Sequence, residues 1–352
     1  MGKNKQKVFK MFSNNVAGLK SKIDMLKNEL INSDVTVFTL QETHFTKKGK
    51  LKLEKFEIFE AIRKKKDGGT LVGILKELKP MLVKEYSDVF EMIVIEIAVD
   101  DKEIRIISGY GPQENLSEDE RMPFFLALEE EIVKAELLGK SLLIQMDANS
   151  KLGPDLIKGD PHRQTANGRI LAGILERHNL TVVNSLTDKC TGLITRRRTT
   201  VDGTEESIID FVIVSNDMEE DIESLLVDEE RAHALYKYTK KKNSIKTVVS
   251  DHNPMLTKMN LKWNNRKRKK KIEMFNLKNV ECQQKFLELT SESNYLSSVF
   301  ETETDLNLAT NRFLKRLNSC LHRSFRKVKI TEKMNAELEE LFNKQKTVES
   351  KR

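Results

Sequence analysis

Seven short runs rich in β-branched, aromatic and other apolar residues recur between residues 8 and 260, and amphipathic stretches lie among them. They are VFKMFS (8–13), VTVFTL (35–40), TLVGIL (70–75), EMIVIEIAV (91–99), EIRIISGY (103–110), SLLIQMD (141–147) and SIIDFVIV (207–214). Apolar runs of this length, bounded by turn residues, read as buried strands. Asp100, Asp101 and Lys102 join two of them as a short hairpin. Helical spacing stacks Ile23, Leu26 and Leu30 within 20–32, and Leu171, Ile174 and Leu175 within 167–179. The same spacing aligns Phe124, Leu128, Ile132 and Ala135 within 117–138, which Ser117 and Glu120 open as a capping box. Hairpin-linked strands with interspersed helices favour an α/β sandwich over a purely parallel, doubly wound sheet. Segments 196–206 and 229–246 are polar and dense in charge, and read as loops or insertions.

Charge divides the chain. The formal net charge is +7, and the basic excess lies entirely in residues 263–352. Near Trp263 the strand signals stop, and NNRKRKKK begins a charged stretch with helical spacing over 281–290, 303–325 and 331–346. Two regions are expected: a folded domain over 1–262 and a basic α-helical tail over 263–352. Such a tail supplies salt-sensitive attraction to phosphates. Arg266–Lys271 reads as a nuclear-localisation or phosphate-binding run, or equally as a solvated charged loop. A nuclear location is expected first, a cytoplasmic one otherwise. Cys190, Cys282 and Cys320 are far apart and unpatterned, against a disulfide framework or a zinc cluster. No apolar run approaches the roughly 20 residues of a membrane span, and the basic start MGKNKQKVFKMF lacks the apolar stretch of a signal peptide.

Polar residues end or follow the apolar runs. Asn15 follows the first, Glu42 the second, Tyr110 ends the fifth, and Asp147 and Asn149 end the sixth. Ser250, Asp251 and His252 follow IKTVV. Taken singly, an acid or amide at a strand end is usually a turn former or cap. Asp147 and Asn149 are two apart, so on an extended chain they face one side. Asp210, flanked by Ile209 and Phe211, needs a partner for a buried carboxylate, and His252 is available. Ser250, Asp251 and His252 are adjacent and cannot form a Ser–His–Asp relay among themselves. No nucleophile elbow, P-loop or zinc-ligand spacing occurs. A set rich in carboxylates and amides and poor in sulfur points to a hard cation such as Mg²⁺ or Mn²⁺.

Taken in order, Asn15-Val-Ala-Gly-Leu, Gln41-Glu-Thr-His, Ser108-Gly-Tyr-Gly-Pro, Met146-Asp-Ala-Asn, Ile209-Asp-Phe and Ser250-Asp-His resemble the endonuclease/exonuclease/phosphatase superfamily. Within it they are similar to the apurinic-type endonuclease domain of non-LTR retrotransposons, over about residues 8–260. The resemblance implies a four-layer, DNase I-like α/β sandwich with the site at one open end. It implies that Glu42 binds the divalent metal with Asn15 beside it and Asp251 near it. Asp147 would align or deprotonate the attacking water, while Asn149 and Tyr110 would contact the scissile phosphate. His252, oriented by Asp210, would stabilise the transition state. Thr195 resembles a threonine on a DNA-approaching loop, with Arg196 and Ser250 also on the substrate side. Ala17 and Met146 stand where related proteins often carry Asn and Gly, and neither removes a chemical group used above.

The implied activity is Mg²⁺-dependent nicking of DNA to leave a 3′-hydroxyl, by a retrotransposon-derived monomer working beside a separate or truncated reverse transcriptase. No aromatic-x-Asp-Asp polymerase signature occurs. Two rival readings are a non-catalytic, domesticated nucleic-acid-binding protein and an RNA exonuclease or phosphatase on the same fold.

Overall fold

A computed structural model describes residues 7–63, 68–201, 203–241 and 244–263, with 274–275, 284 and 327–328. The chain divides into two units, Met1–Asn265 and Arg266–Arg352. Arg266–Lys271 and the expected tail helices, apart from the helical Gln284, lie outside the described residues. In the second unit Met274–Phe275 pairs antiparallel with Lys327–Val328.

The first unit runs β1 (Lys7–Asn15), α1 (Ile23–Asn32), β2 (Val37–Gln41), β3 (Phe56–Ala61), β4 (Thr70–Leu75), β5 (Met81–Tyr86), β6 (Glu91–Val99) and β7 (Lys102–Tyr110). It continues through α2 (Glu118–Leu137), β8 (Ser141–Asp147), α3 (Ala166–Arg177), β9 (Leu180–Val182), β10 (Cys190–Thr191), β11 (Arg196–Thr200) and β12 (Gly203–Ser207). It closes with β13 (Asp210–Ser215), α4 (Asn216–Glu219), β14 (Ile222–Val227), β15 (Lys237–Lys241), β16 (Ser244–Val248) and β17 (Met255–Trp263). One sheet has the order β10-β14-β17-β1-β2-β4-β3, and the other β5-β6-β7-β8-β13-β9.

Successive residues of the central strands enter different cores, as the twofold strand repeat requires. Met11, Val37, Ile106, Leu143 and Val212 fill the layer between the sheets. Their neighbours Phe12 and Phe38 pack outward with Leu26 and Leu30 of α1. On the opposite side Ile107, Ile144 and Ile213 pack with Phe124 and Leu128 of α2 and Leu171 of α3. The result is four layers, helix–sheet–sheet–helix. Burial on both faces explains why these strands read as unbroken apolar runs.

Several expectations change. The run 207–214 is not one strand: β12 ends at Ser207 and β13 starts at Asp210, so Asp210 opens a strand instead of sitting inside one. Segments 196–206 and 229–246 are not merely loops; they contain the hairpins β11–β12 and β15–β16. Strand β5 gives little sequence signal because its apolar run, Met81, Leu82 and Val83, stops after three residues at Lys84 and Glu85, and as an edge strand it keeps those three exposed.

Helix α2 is tied to its sheet by charge. Arg105 of β7, 2 % exposed, donates to Glu96 Oε1 at 2.7 Å and to Glu131 Oε2 at 3.1 Å. Tyr86 donates to the other Glu131 oxygen at 3.0 Å. Removing the guanidinium takes a charged donor from two buried carboxylates and leaves Glu96 with Lys140, and Glu131 with Lys134 and Tyr86. Arg105→Met is therefore expected to cost about 3 kcal/mol, read from urea unfolding. His178, at the end of α3, lies 3.2 Å from Glu129 and 3.1 Å from Glu136 of α2. Burial opposes its charge, but Glu136 and Glu129 outweigh burial and raise its pKa above the ordinary 6.5. A raised folded value means the pair stabilises fully below about pH 6.5 and loses its effect as pH climbs through the folded value. His178→Gln should remove that part of the fall in urea midpoint with rising pH, and an unchanged profile would refute the assignment.

Candidate active site

Along the layer between the sheets, side chains change from apolar to polar toward one end. Strand β1 presents Met11, Ser13 and Asn15, and β2 presents Val37, Thr39 and Gln41. In the facing sheet β7 presents Ile106, Ser108 and Tyr110, β8 presents Leu143, Gln145 and Asp147, and β13 begins at Asp210 before Val212. Pairing sets these ends level: Asn15 lies opposite Gln41, and Asp147 opposite both Tyr110 and Asp210. The sheets are bridged there by Thr39 Oγ1, 2.9 Å from Ser13 Oγ and 3.0 Å from Gln145 Oε1.

The polar ends meet directly. Asn15 Nδ2 donates to Glu42 Oε1 and to Asp147 Oδ2, each at 2.9 Å, joining carboxylates from opposite sheets. Tyr110 donates to the same Glu42 oxygen at 2.8 Å. His252 Nδ1 sits 2.9 Å from Asp210 Oδ2, while its Nε2 faces Asp147 Oδ2 at 3.8 Å. Asp210 thus has the partner its burial demands. The His252 backbone N–H donates to Ser250 Oγ at 3.2 Å, and Asn14 Nδ2 donates to the His252 carbonyl. Asn184 accepts from Val212 N at 3.0 Å and donates to the Asp210 carbonyl at 3.2 Å.

Burial, then the nearby Asp210 carboxylate, pushes the Asp147 carboxyl up from its usual range. Burial works against the His252 cation, but Asp210 and Asp147 together outweigh it and raise the imidazole's pKa. The ring is therefore set to remain protonated, with Nε2–H aimed toward Asp147. Burial also pushes the Tyr110 phenol up, with Glu42 and Asp147 adding to it, which keeps its O–H a donor.

The backbone is strained where the chain leaves these strands. Ala17, Glu42, His44 and Asn149 adopt φ of 42°, 51°, 55° and 46°, conformations that non-glycine residues seldom take and that cluster at functional sites. Asn149 lies beyond the end of β8, so it reaches the site through a turn, not by strand alternation. Its backbone N–H donates to Asp147 Oδ1 at 3.0 Å and its Nδ2 to the Gly111 carbonyl at 2.9 Å. Gly111 allows that approach: a Cβ there would lie 2.3 Å from the Ala148 carbonyl oxygen.

Not every expected residue points inward. Thr195 is 0 % exposed. Its hydroxyl accepts from the backbone N–H groups of Ile209 at 2.9 Å and Asp210 at 3.1 Å, so it fixes the start of β13 and presents nothing to a substrate. The Asp251 carboxylate is held by Arg196 Nε at 2.8 Å. Burial would raise its pKa, but His252 and Arg196 hold it low. Arg196, expected on the substrate side, is thus engaged with Asp251, and Asp251, expected near the metal, turns to Arg196. Ser250 is buried and serves the turn before His252. Asn14 and Asn184, which carry no periodic or motif signal, were not anticipated; both hold the backbone of site residues.

Among the described residues, Asp147, Asp210 and His252 each bring one donor atom within 4.8 Å of the others. Two donor atoms of this group are already engaged, His252 Nδ1 by Asp210 and Asp147 Oδ2 by Asn15, each at 2.9 Å. Glu42 offers the better place. Its Oε1 is occupied by Asn15 and Tyr110, while Oε2 meets only the 3.6 Å approach of His44 Nε2 among the described residues. One open carboxylate oxygen beside a carboxamide suits a hard divalent cation. Thr195→Val deletes the acceptor for two buried amides and should cost about 1–3 kcal/mol of stability. Turnover should fall while substrate affinity holds, and the reverse split in steady-state kinetics would return Thr195 to the substrate.

No protein-family model and no curated protein matches the chain. Solved structures do. The endonuclease domain of TRAS1, a telomere-specific non-LTR retrotransposon, aligns at TM-score 0.51 and 18% identity over 71% of this chain and 98% of that one. The AP endonuclease LMAP from Leishmania major gives 0.55 and 13% over 72% and 88%. The 3′-5′ exonuclease NExo from Neisseria meningitidis gives 0.53 and 16% over 71% and 99%. With the four layers and strand orders above, these likenesses identify the first unit as having the endonuclease/exonuclease/phosphatase, DNase I-like fold.

Proposed function

We propose that the chain is a divalent-metal-dependent nuclease that nicks DNA, breaking a phosphodiester to leave a 3′-hydroxyl and a 5′-phosphate. The observation that carries this reading is the placement of Asp147 between the Asn15 amide and His252, with Asp210 fixing the imidazole. In this reading Asp147 takes the proton of a water whose oxygen bonds to phosphorus as the bond to the 3′ oxygen breaks. Its raised pKa suits a general base near neutral pH. His252 donates from Nε2 to a non-bridging oxygen, where negative charge grows, in a site dry enough to strengthen that contact. The second N–H of the Asn149 amide orients the phosphate, and Tyr110, whose one O–H is given to Glu42, holds that carboxylate in place beside it. Mg²⁺ or Mn²⁺, held by Glu42 with Asn15 beside it, would neutralise phosphate charge and ease departure of the 3′ oxygen.

The likeness to the TRAS1 endonuclease domain and the basic stretch after Trp263 support a retrotransposon-derived catalytic domain over 1–262 followed by a basic tail. Nicking of supercoiled plasmid in Mg²⁺, abolished by EDTA, is the expected result. An Asp147→Asn, His252→Ala double variant should lose at least about 10³-fold in rate, given what one positioned acid or base contributes. Equal nicking by the variant and the unsubstituted protein would sink the assignment. Turnover of single-stranded RNA with none of plasmid would transfer the reading to an RNA nuclease.

A further inference from the structure

In the β11–β12 hairpin two of three arginines pair with neighbouring acids, Arg196 with Asp251, and Arg197 with Glu206 and Glu229, and Glu205 and Glu206 offset the charge. The β15–β16 hairpin is composed differently. Residues 237–250 contain five lysines and no acid, with Ser, Thr, Asn and Tyr between them. Residues 1–262 carry no basic excess overall, so this concentration is local.

Both feet of the hairpin are fixed beside the site. Ahead of its first strand, Leu235 packs with Leu26 and Leu30 of α1, and His233 Nδ1 lies 2.9 Å from Glu29. The Tyr236 hydroxyl donates to the Arg231 carbonyl at 2.6 Å. Arg231 in turn donates to Asn253 Oδ1 at 2.9 Å and to the Asp251 carbonyl at 3.3 Å. The second strand ends at Val248, two residues before Ser250. Lys22, buried and bonded to the Val16 carbonyl, feels both ends of this arrangement. Burial first, and then Lys237, push its pKa down, while Glu42 acts the other way. The foot at Lys237 therefore lies within electrostatic reach of the Lys22–Glu42 side of the site. Between the feet the ribbon is in continuous register from Lys237 opposite Val248 to Lys241 opposite Ser244. At about 3.4 Å per residue it extends roughly 17 Å, long enough to follow several phosphates of one strand.

We infer that the β15–β16 hairpin is a backbone-gripping arm that holds duplex DNA through its phosphates beside the scissile bond, without reading sequence. This rests on the nuclease reading above. Its role is affinity and salt dependence, whereas the chemistry stays with Asp147 and His252.

The test uses the full chain with Lys240→Gln, Lys241→Gln and Lys246→Gln together, and the matching three-Arg variant as a charge-preserving control. Fluorescence anisotropy on a plain duplex in EDTA measures binding without cleavage. Each lost phosphate contact lowers the slope of log affinity against log salt by about 0.9. The Gln variant should therefore flatten that slope by about 2–3, and the Arg variant should restore it. An unchanged slope with the unfolding midpoint preserved, or no measurable duplex binding by the unsubstituted protein, overturns the arm. Failure of the nuclease reading looks different: hairpin-dependent binding would persist while plasmid stays intact.

Discussion

Asp147 and Asp210 lie opposite each other on adjacent antiparallel strands, both buried at the end of the layer between the sheets. Two carboxylates so close in a dry setting cannot both ionise unless opposing charge and hydrogen bonds are supplied. His252 supplies the charge, 2.9 Å from Asp210 and 3.8 Å from Asp147, and Asn15 supplies a donor from the opposite sheet. The surrounding backbone serves this pairing. Thr195 fixes the Asp210 amide, Ser250 and Asn14 fix the His252 segment, and Asn184 holds the Asp210 carbonyl and the Val212 amide at the start of β13. Were the imidazole removed, the acids would have to take up protons or water would have to enter.

Strand geometry alone does not complete the site. A β-strand sends its last inward residue to the rim and then continues away, yet Glu42 and Asn149 are both needed beside residues that end the strands. Left-handed conformations at Ala17, Glu42, His44 and Asn149 turn the chain back, at about 1–3 kcal/mol each. The flanking bonds show what over-determines them: Gly18 N to the Glu42 carbonyl at 2.7 Å, His44 N to the Gly68 carbonyl at 2.9 Å, and Asn149 N to Asp147. Stability is given up where donors must converge, and the apolar length of the same layer makes up for it.

The sandwich was legible because its central strands are buried on both faces, so 91–99 and 141–147 announce themselves as apolar runs. The same logic hides β5, whose apolar run ends after three residues at Lys84, and the polar hairpins 196–207 and 237–248, whose composition leaves no apolar pattern. Asp210 does have the partner its apolar neighbours call for, although it starts a strand instead of interrupting one. Asp147 and Asn149 share the site, but the turn after the strand, not the i, i+2 repeat, brings them together. Thr195 and Asp251 could not be placed from sequence, because whether a hydroxyl or carboxylate faces a cleft or a neighbouring backbone depends on contacts from segments 15 to 55 residues away. Asn14 and Asn184 were invisible for the same reason.

The central claim is that this buried acid–imidazole–amide cluster cuts phosphodiesters on the 3′ side, leaving an oxygen that carries only a proton. The most direct measurement is extension of the product ends. Plasmid treated with the protein in Mg²⁺ is offered to a DNA polymerase with labelled nucleotide, with and without prior phosphatase treatment. The account predicts immediate incorporation at nicks, equal in both arms. Incorporation only after phosphatase would mean the other phosphodiester bond is broken, and none in either arm with plasmid intact would contradict nicking altogether.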